Sequence, residues 1–496
     1  MVARLNDVIS NLLAQPLPLL ACPVVNAHTL SISLADGSQL QQLTAYRVLP
    51  ARRWVFSADW QGQKVFAKVF LGQQADKYAA RDAQGARQML QAGLKTPALL
   101  WQGLTAAGDA QVLLYAAVER AESADARYAN ASEQERLTLL THLVVTLASQ
   151  HAAGLMQTDL HLKNFLLAEG VVWSIDGDGI KEKLLSARQA HKQLAELLSK
   201  ISVLDQHTFS ETLLQTYLLA RQWPQTLSSE VLLTWAKRFK RAEVNAYVQH
   251  KIFRNCSDIE WLQTSLAAQA VSRAGGLHAT DLPALEVAMH GGQPLKMGNT
   301  CTVMHTQLQD RQVVIKRYNI KNGWHALSRA WRPSRAAASW SNAHRLQYHG
   351  IATPQPLLML ETRCWGMRGC AYFVAAFSPW PDALLFFKQA TDKRLRAEAV
   401  KQLSLLCYQL YLLRLSHGDM KATNLQITNG GQVVVMDLDS MRQHHCAQTA
   451  LRAHVKDLRR LLQNWKDDTS LYNALVKSLR VIYSDVAPLK LAGISI

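Results

Sequence analysis

The same ordered series of segments occurs twice in this chain, which points to two similar folding units before any single residue is considered. VFAKVF (65–70) and VVIKRY (313–318) are short apolar runs with one lysine inside, the pattern of a buried strand. A helical stretch follows each, then GLKTP (93–97) or GIATP (350–354), where glycine closes a helix and proline opens an extended segment. Apolar strands come next, QVLLYAAVE ending at Glu119 and AYFVAAF ending at Phe377. The series closes with QTDLHLKNFLLAEGVVWSIDGDG (157–179) and HGDMKATNLQITNGGQVVVMDLDS (417–440). In both copies an Asp precedes an Asn by five residues, Asp159 to Asn164 and Asp419 to Asn424. The next acidic cluster begins 12 residues on at Asp176 and 13 residues on at Asp437, after an apolar strand, a turn and VVWSID or VVVMD.

A length of 496 residues suits two domains and is too great for one hydrophobic core. The helical, Leu-rich segment 181–255 reads as the end of the first copy, and SRAGG (272–276) is the nearest linker-like stretch, so the expected domains are 1–260 and 261–496. The seven cysteines form no CxxC pair, which signals neither a zinc site nor a disulfide framework and suits a reducing compartment. The N-terminus fits neither a signal peptide nor a spanning helix, and no window offers about 18 uninterrupted apolar residues. A cytoplasmic protein with no transmembrane segment is expected.

A lysine in a strand, an Asp five residues before an Asn, and a second Asp at a strand end together suit phosphoryl transfer from MgATP. The lysine neutralises the α/β-phosphates, the first Asp accepts or orients the acceptor hydroxyl, and the Asn and second Asp bind magnesium through hard oxygens. The candidates are catalytic Asp159 and Asp419, nucleotide-binding Lys68 and Lys316, and metal-binding Asn164, Asp176, Asn424 and Asp437. A single lysine in an apolar run is commonly an edge or snorkelling residue, and Asp176 or Asp178 alone could merely shape the turn; the repetition of the whole ordered set argues for function. Asp176 and Asp437 are preferred over Asp178 and Asp439 because each directly follows its strand.

The set resembles the protein-kinase signature of a strand Lys, HRDxxxxN and DFG in that order. TDLHLKN, SHGDMKATN with MDLD, VVIKRYNIK, PSRAAASWSNAHRL before GIATPQP, and KIFRNC resemble the lipopolysaccharide kinase (Kdo/WaaP) family most closely, over about residues 40 to 460. That resemblance implies an α+β chain of two tandem bilobal protein-kinase-like domains, each with a small β-rich lobe and a helical lobe. It also implies an ATP- and Mg-dependent kinase that phosphorylates a heptose or Kdo hydroxyl of the lipopolysaccharide core.

Several residues depart from the kinase pattern. Neither copy has a full GxGxxG loop: the second offers KMGNTCTV with Gly298 as a lone glycine over the phosphates, and the first only VLPARRW. Gln157 replaces the motif His in the first copy, and position two after the motif Asp is His161 in one copy and Lys421 in the other. Asp82 is a candidate helix partner for Lys68, whereas no acid lies between Lys316 and Pro354, which leaves Lys316 to be held by another carboxylate such as Asp437. His151 and His417 read as loop-ordering residues.

Basic charge is concentrated in the second half. Residues 1–260 hold 26 Lys+Arg against 23 Asp+Glu, and the remainder holds 28 against 14. Eight basic residues and no acid between Arg311 and Arg345 suit peripheral attachment to an anionic inner-membrane surface bearing a lipid A-core acceptor. Trp324, Leu327 and Trp331 share a helical face that suits either an interfacial helix or packing on the small lobe. Rival readings are a kinase of another small molecule or of proteins, and a pseudokinase scaffold for core assembly. A nucleic-acid binder rests on charge alone and is not expected, since no reader motif or aromatic platform is present.

Overall fold

The computed structural model describes residues 31–49, 52–224, 227–298, 300–319, 333–364 and 367–494. The chain is a mixture of helix and antiparallel sheet. It divides into two compact units, 1–201 with 205–240 and 202–204 with 241–496. The segment carrying Trp324, Leu327 and Trp331 lies outside the described residues.

In the first unit a six-stranded antiparallel sheet runs in the order Ser31–Ser33, Gln39–Leu49, Arg53–Trp60, Gln63–Leu71, Ala110–Ala116, Leu99–Leu104. Alternation in FSADW and KVFAKVF turns Phe56, Ala58, Val65, Ala67 and Val69 into one buried layer with Trp54. Lys68 falls on the other face. The helix Ala75–Gln91 packs there through Ala75, Ala79, Ala83 and Ala86, small residues at helical spacing that let it lie close to the sheet. Gly93, at a φ of 72°, turns the chain after this helix, as GLKTP indicates. The helices Glu133–Ala152, Ala187–Leu198 and most of Val203–Arg221, with the part of Ser229–His250 up to residue 240, form the helical part, with Leu143, Leu147, Leu194 and Leu213 fully buried.

The second unit contains a seven-stranded antiparallel sheet ordered Ile259–Gln263, Ala267–Ser272, Pro356–Cys364, Met367–Ala376, Arg311–Tyr318, Cys301–Leu308, Gln293–Gly298. SRAGG is not a linker. Ser272 ends a strand paired on both sides, Arg273–Gly275 is a short 3-10 turn, and Gly275 is buried with its Cα facing Leu357. The AAQAVS strand is too short and too Ala-rich to show an alternating pattern, and sheet pairing rather than local propensity makes it extended. The helix Arg335–Tyr348 lies beside the sheet with Trp340 completely buried, and Gly350 repeats the left-handed turn at a φ of 69°. Helices Lys393–Leu413, Ala447–Gln463 and Thr469–Ile482 bury Leu403, Leu458, Leu461, Leu475 and Leu479.

Candidate active site

In the first unit Lys68 stands in the strand Gln63–Leu71 with its Nζ 2.6 Å from Asp82 Oδ2 and 3.1 Å from Asp176 Oδ1. Asp82 is wholly buried in the helix Ala75–Gln91, and its other oxygen accepts the Tyr115 hydroxyl. Burial works against the Lys68 charge, but Asp82 and Asp176 outweigh it and raise its pKa. Asp176 is held down at about 2: burial opposes ionisation, and Lys68 and Arg53 overcome it. Arg53 approaches Asp176 to 3.8 Å.

Asp176 is in the left-handed region at a φ of 73°, at the entry to the turn Gly177–Gly179. That turn touches the Asp82 helix with no room to spare. A Cβ on Gly85 would lie 2.1 Å from the Gly177 carbonyl oxygen, and one on Gly177 would lie 2.1 Å from the Asp82 carbonyl oxygen. Two glycines therefore set the separation that lets Asp82 and Asp176 share one lysine. Asp178 turns away and pairs with Arg81 of the helix at 3.1 Å, so it shapes the joint and Asp176 faces the lysine.

In the second unit Lys316 Nζ lies 2.9 Å from Asp437 Oδ1, and Asp437 again has a positive φ, 53°. Where the first unit has Asp82, counting from the glycine of the turn, the second has Ser339, whose hydroxyl meets that of Tyr318 at 3.0 Å. By the same count Gly85 becomes Asn342, whose Nδ2 donates to the carbonyls of Leu438 and Met441 at 2.9 and 3.1 Å. A side-chain clamp thus replaces the glycine contact, and Arg335 pairs with Asp439 as Arg81 does with Asp178.

The loop before Asp419 is anchored by a residue that the motifs did not single out. Asp457, buried in the helix Ala447–Gln463, accepts the backbone N–H groups of His417 at 2.7 Å and Gly418 at 3.1 Å. His417 Nδ1 accepts the Asp419 N–H, and its Nε2–H donates to the Met436 carbonyl, tying the loop to the strand that leads to Asp437. The signal for Asp457 is an acid on the apolar stripe Ala450, His454, Leu458, Leu461 of an amphipathic helix. In the first unit KQLAELL replaces KDLRRLL, which puts Gln193 at the step of Asp457. Gln157 stands for His417, fully buried, and its amide has no hydrogen-bond partner among the described residues.

Asn164 and Asn424 each donate Nδ2 to the carbonyl of the Asp five residues earlier, at 2.8 and 3.0 Å, which leaves the amide oxygen for a cation. One amide oxygen and one carboxylate, Asn164 with Asp176 or Asn424 with Asp437, form a hard donor pair that suits magnesium completed by phosphate oxygens and water. No cluster of three or more His, Cys, Asp or Glu ligands occurs among the described residues, so a metal held by protein alone is not indicated there. Asp419 lies 3.2 Å from Lys421 Nζ and 3.8 Å from Arg460 Nε. Asp159 is exposed at the corresponding step of the first unit.

Residues 290–483 match the lipopolysaccharide kinase (Kdo/WaaP) family. The Kdo/WaaP match supports a phosphotransferase and includes Lys316, Asp419, Asn424, Asp437 and Asp457. No curated protein matches the chain. Among solved structures, that of vaccinia related kinase 3 is similar at 12% identity and a TM-score of 0.28, covering 48% of this chain and 96% of that one. No helix among the described residues is long and apolar enough to cross a membrane.

Proposed function

We propose that this protein is an ATP- and Mg-dependent kinase that phosphorylates a heptose or Kdo hydroxyl of the lipopolysaccharide inner core. The observation that carries the reading is the convergence of Lys316 on Asp437 beside the anchored Asp419–Asn424 loop, inside the segment that matches the Kdo/WaaP family. Two tandem bilobal kinase-like domains are the arrangement that best accounts for the repeated Lys–Asp pairing and Asn–Asp hydrogen bonds. The proposed boundary lies near residue 260.

In each proposed site Asp159 or Asp419 takes the proton of the acceptor hydroxyl as the hydroxyl oxygen attacks the γ-phosphorus in line, the bond from that phosphorus to the β,γ-bridging oxygen breaks, and ADP leaves. Lys68 or Lys316 holds the α/β-phosphates, and Gly298 lets the backbone approach them in the second copy. Asn164 with Asp176, or Asn424 with Asp437, would hold magnesium, which would supply neutralisation of phosphate charge. Asp82 keeps Lys68 aimed at its site. The excess positive charge of residues 261–496 supports peripheral attachment at the cytoplasmic face of the inner membrane, where a lipid A-core acceptor is presented.

The test is transfer from labelled ATP to dephosphorylated core oligosaccharide, with the product mapped by mass spectrometry. Asp419→Asn should lower turnover by about 100- to 10,000-fold in folded protein. Unchanged turnover in both Asp419→Asn and Asp159→Asn would remove the assignment. ATP binding without transfer to any core sugar would favour the pseudokinase scaffold instead.

A further inference from the structure

Both sheets carry a second cation in the same cross-strand row as the site lysine. In the first unit antiparallel pairing aligns Arg47 with Val55 and Val55 with Lys68. In the second it aligns Lys296 with Val303 and Val303 with Lys316. Directly opposed residues point to the same face of a sheet, so each row of cation, valine and lysine faces the side from which the lysine reaches Asp176 or Asp437. The next row also corresponds, Leu49–Arg53–Phe70 and Gly298–Cys301–Tyr318, so the match is of register and not of one residue.

The outer cations are available. Arg47 and Lys296 are exposed, and neither makes an ion pair or a side-chain hydrogen bond among the described residues. Their charges nevertheless reach the site. Burial and Arg53 push the Arg47 pKa down, while Asp176 and Asp159 pull it up. Burial opposes ionisation of Asp437, but Lys316 outweighs it and Lys296 adds to that effect, leaving Asp437 below its ordinary value.

A nucleotide triphosphate brings roughly four negative charges, which protein kinases meet partly with the amides of a glycine-rich loop. That loop is missing here: residues 45–54 contain no glycine, and 293–303 contain only Gly298. We infer that Arg47 and Lys296 are nucleotide-phosphate ligands that take over the work of the absent glycine loop, one in each copy. The inference rests on the nucleotide reading above. It adds that affinity for the polyphosphate, as distinct from the nucleoside, depends on this outer row.

Equilibrium binding of ATP and of adenosine to the full-length chain tests it, in wild type and in the double variant Arg47→Met with Lys296→Met. The wild type should prefer ATP. Loss of one charge-assisted contact per site should weaken ATP about 10- to 100-fold while adenosine binding stays the same. A double variant that keeps the wild-type ratio of ATP to adenosine affinity overturns the inference and leaves the kinase reading standing. Wild type that binds adenosine as tightly as ATP, or neither, overturns the kinase reading and the inference with it. The pair Arg47→Gln with Lys296→Gln repeats the measurement with polar side chains, should the Met variants fold poorly.

Discussion

Lys68 Nζ lies 2.6 Å from a carboxylate, Asp82, that has no exposure to solvent. Lys316 instead meets Asp437, whose side chain is 34% exposed. The first pair is a buried ion pair between strand and helix, and the second is a half-open one between strand and turn.

Removing the two lysines should therefore have unequal consequences for stability. Lys68→Met strands a buried carboxylate, which burial already pushes toward protonation, and should cost about 3–5 kcal/mol. Lys316→Met should cost about 1 kcal/mol or less, since water can reach Asp437. Urea denaturation of the two variants checks this, and equal losses would contradict the difference in burial.

Gly85→Ala is expected to reverse the usual sign. In a helix interior alanine is ordinarily better than glycine by about 0.5–1 kcal/mol. Here the new Cβ would meet the Gly177 carbonyl oxygen at 2.1 Å, and backbone must move to relieve it. A net destabilisation of about 1–3 kcal/mol is expected, read as a lower Tm.

Asp457→Asn removes one of the two acceptors that hold the His417–Gly418 backbone. Turnover should fall about 10-fold or more through misplacement of Asp419, with KM for ATP nearly unchanged because Lys316 is untouched. Steady-state kinetics distinguishes this from general unfolding, which lowers the active fraction but leaves KM for both substrates as in wild type. The KM for the proposed acceptor should rise.

Gln157 offers a stabilising substitution. Its buried amide lacks a partner among the described residues, and an unsatisfied polar group of this kind costs about 1–3 kcal/mol. Gln157→Met should raise the Tm of the first unit, and an unchanged or lower Tm would show that the amide is satisfied.

Stability should fall with acid. Burial lowers the pKa of His151 to about 3 and those of His344 and His454 to about 4, well under the unfolded value near 6.5. A group whose folded pKa is depressed is protonated more readily in the unfolded chain. Its contribution is intact above pH 6.5 and is lost as pH falls toward the folded pKa, by up to about 1.4 kcal/mol per pH unit for each histidine. Urea midpoints at pH 7 and pH 5 measure this, and His454→Phe should reduce the slope by about one proton.

Sequence order and spacing named Lys68, Asp82, Lys316, Asp176 and Asp437, and these residues lie within ion-pair distance in their respective units. Such motifs are legible because each requires a fixed residue type at a short, fixed step from a strand or turn. Three things needed the folded chain. The strand Ala267–Ser272, which runs into SRAGG, formed because one of its pairing partners, Pro356–Cys364, is remote in sequence. Asp457 acquired its role because a helix 40 residues beyond His417 packs against that loop. The cation rows of Arg47 and Lys296 emerged from strand register, including the bulges between Ala45 and Arg47 and between Pro294 and Lys296, which decide the face a side chain takes. Local chemistry is written in consecutive residues, but which distant groups share a row, a turn or a buried charge is settled by pairing and packing.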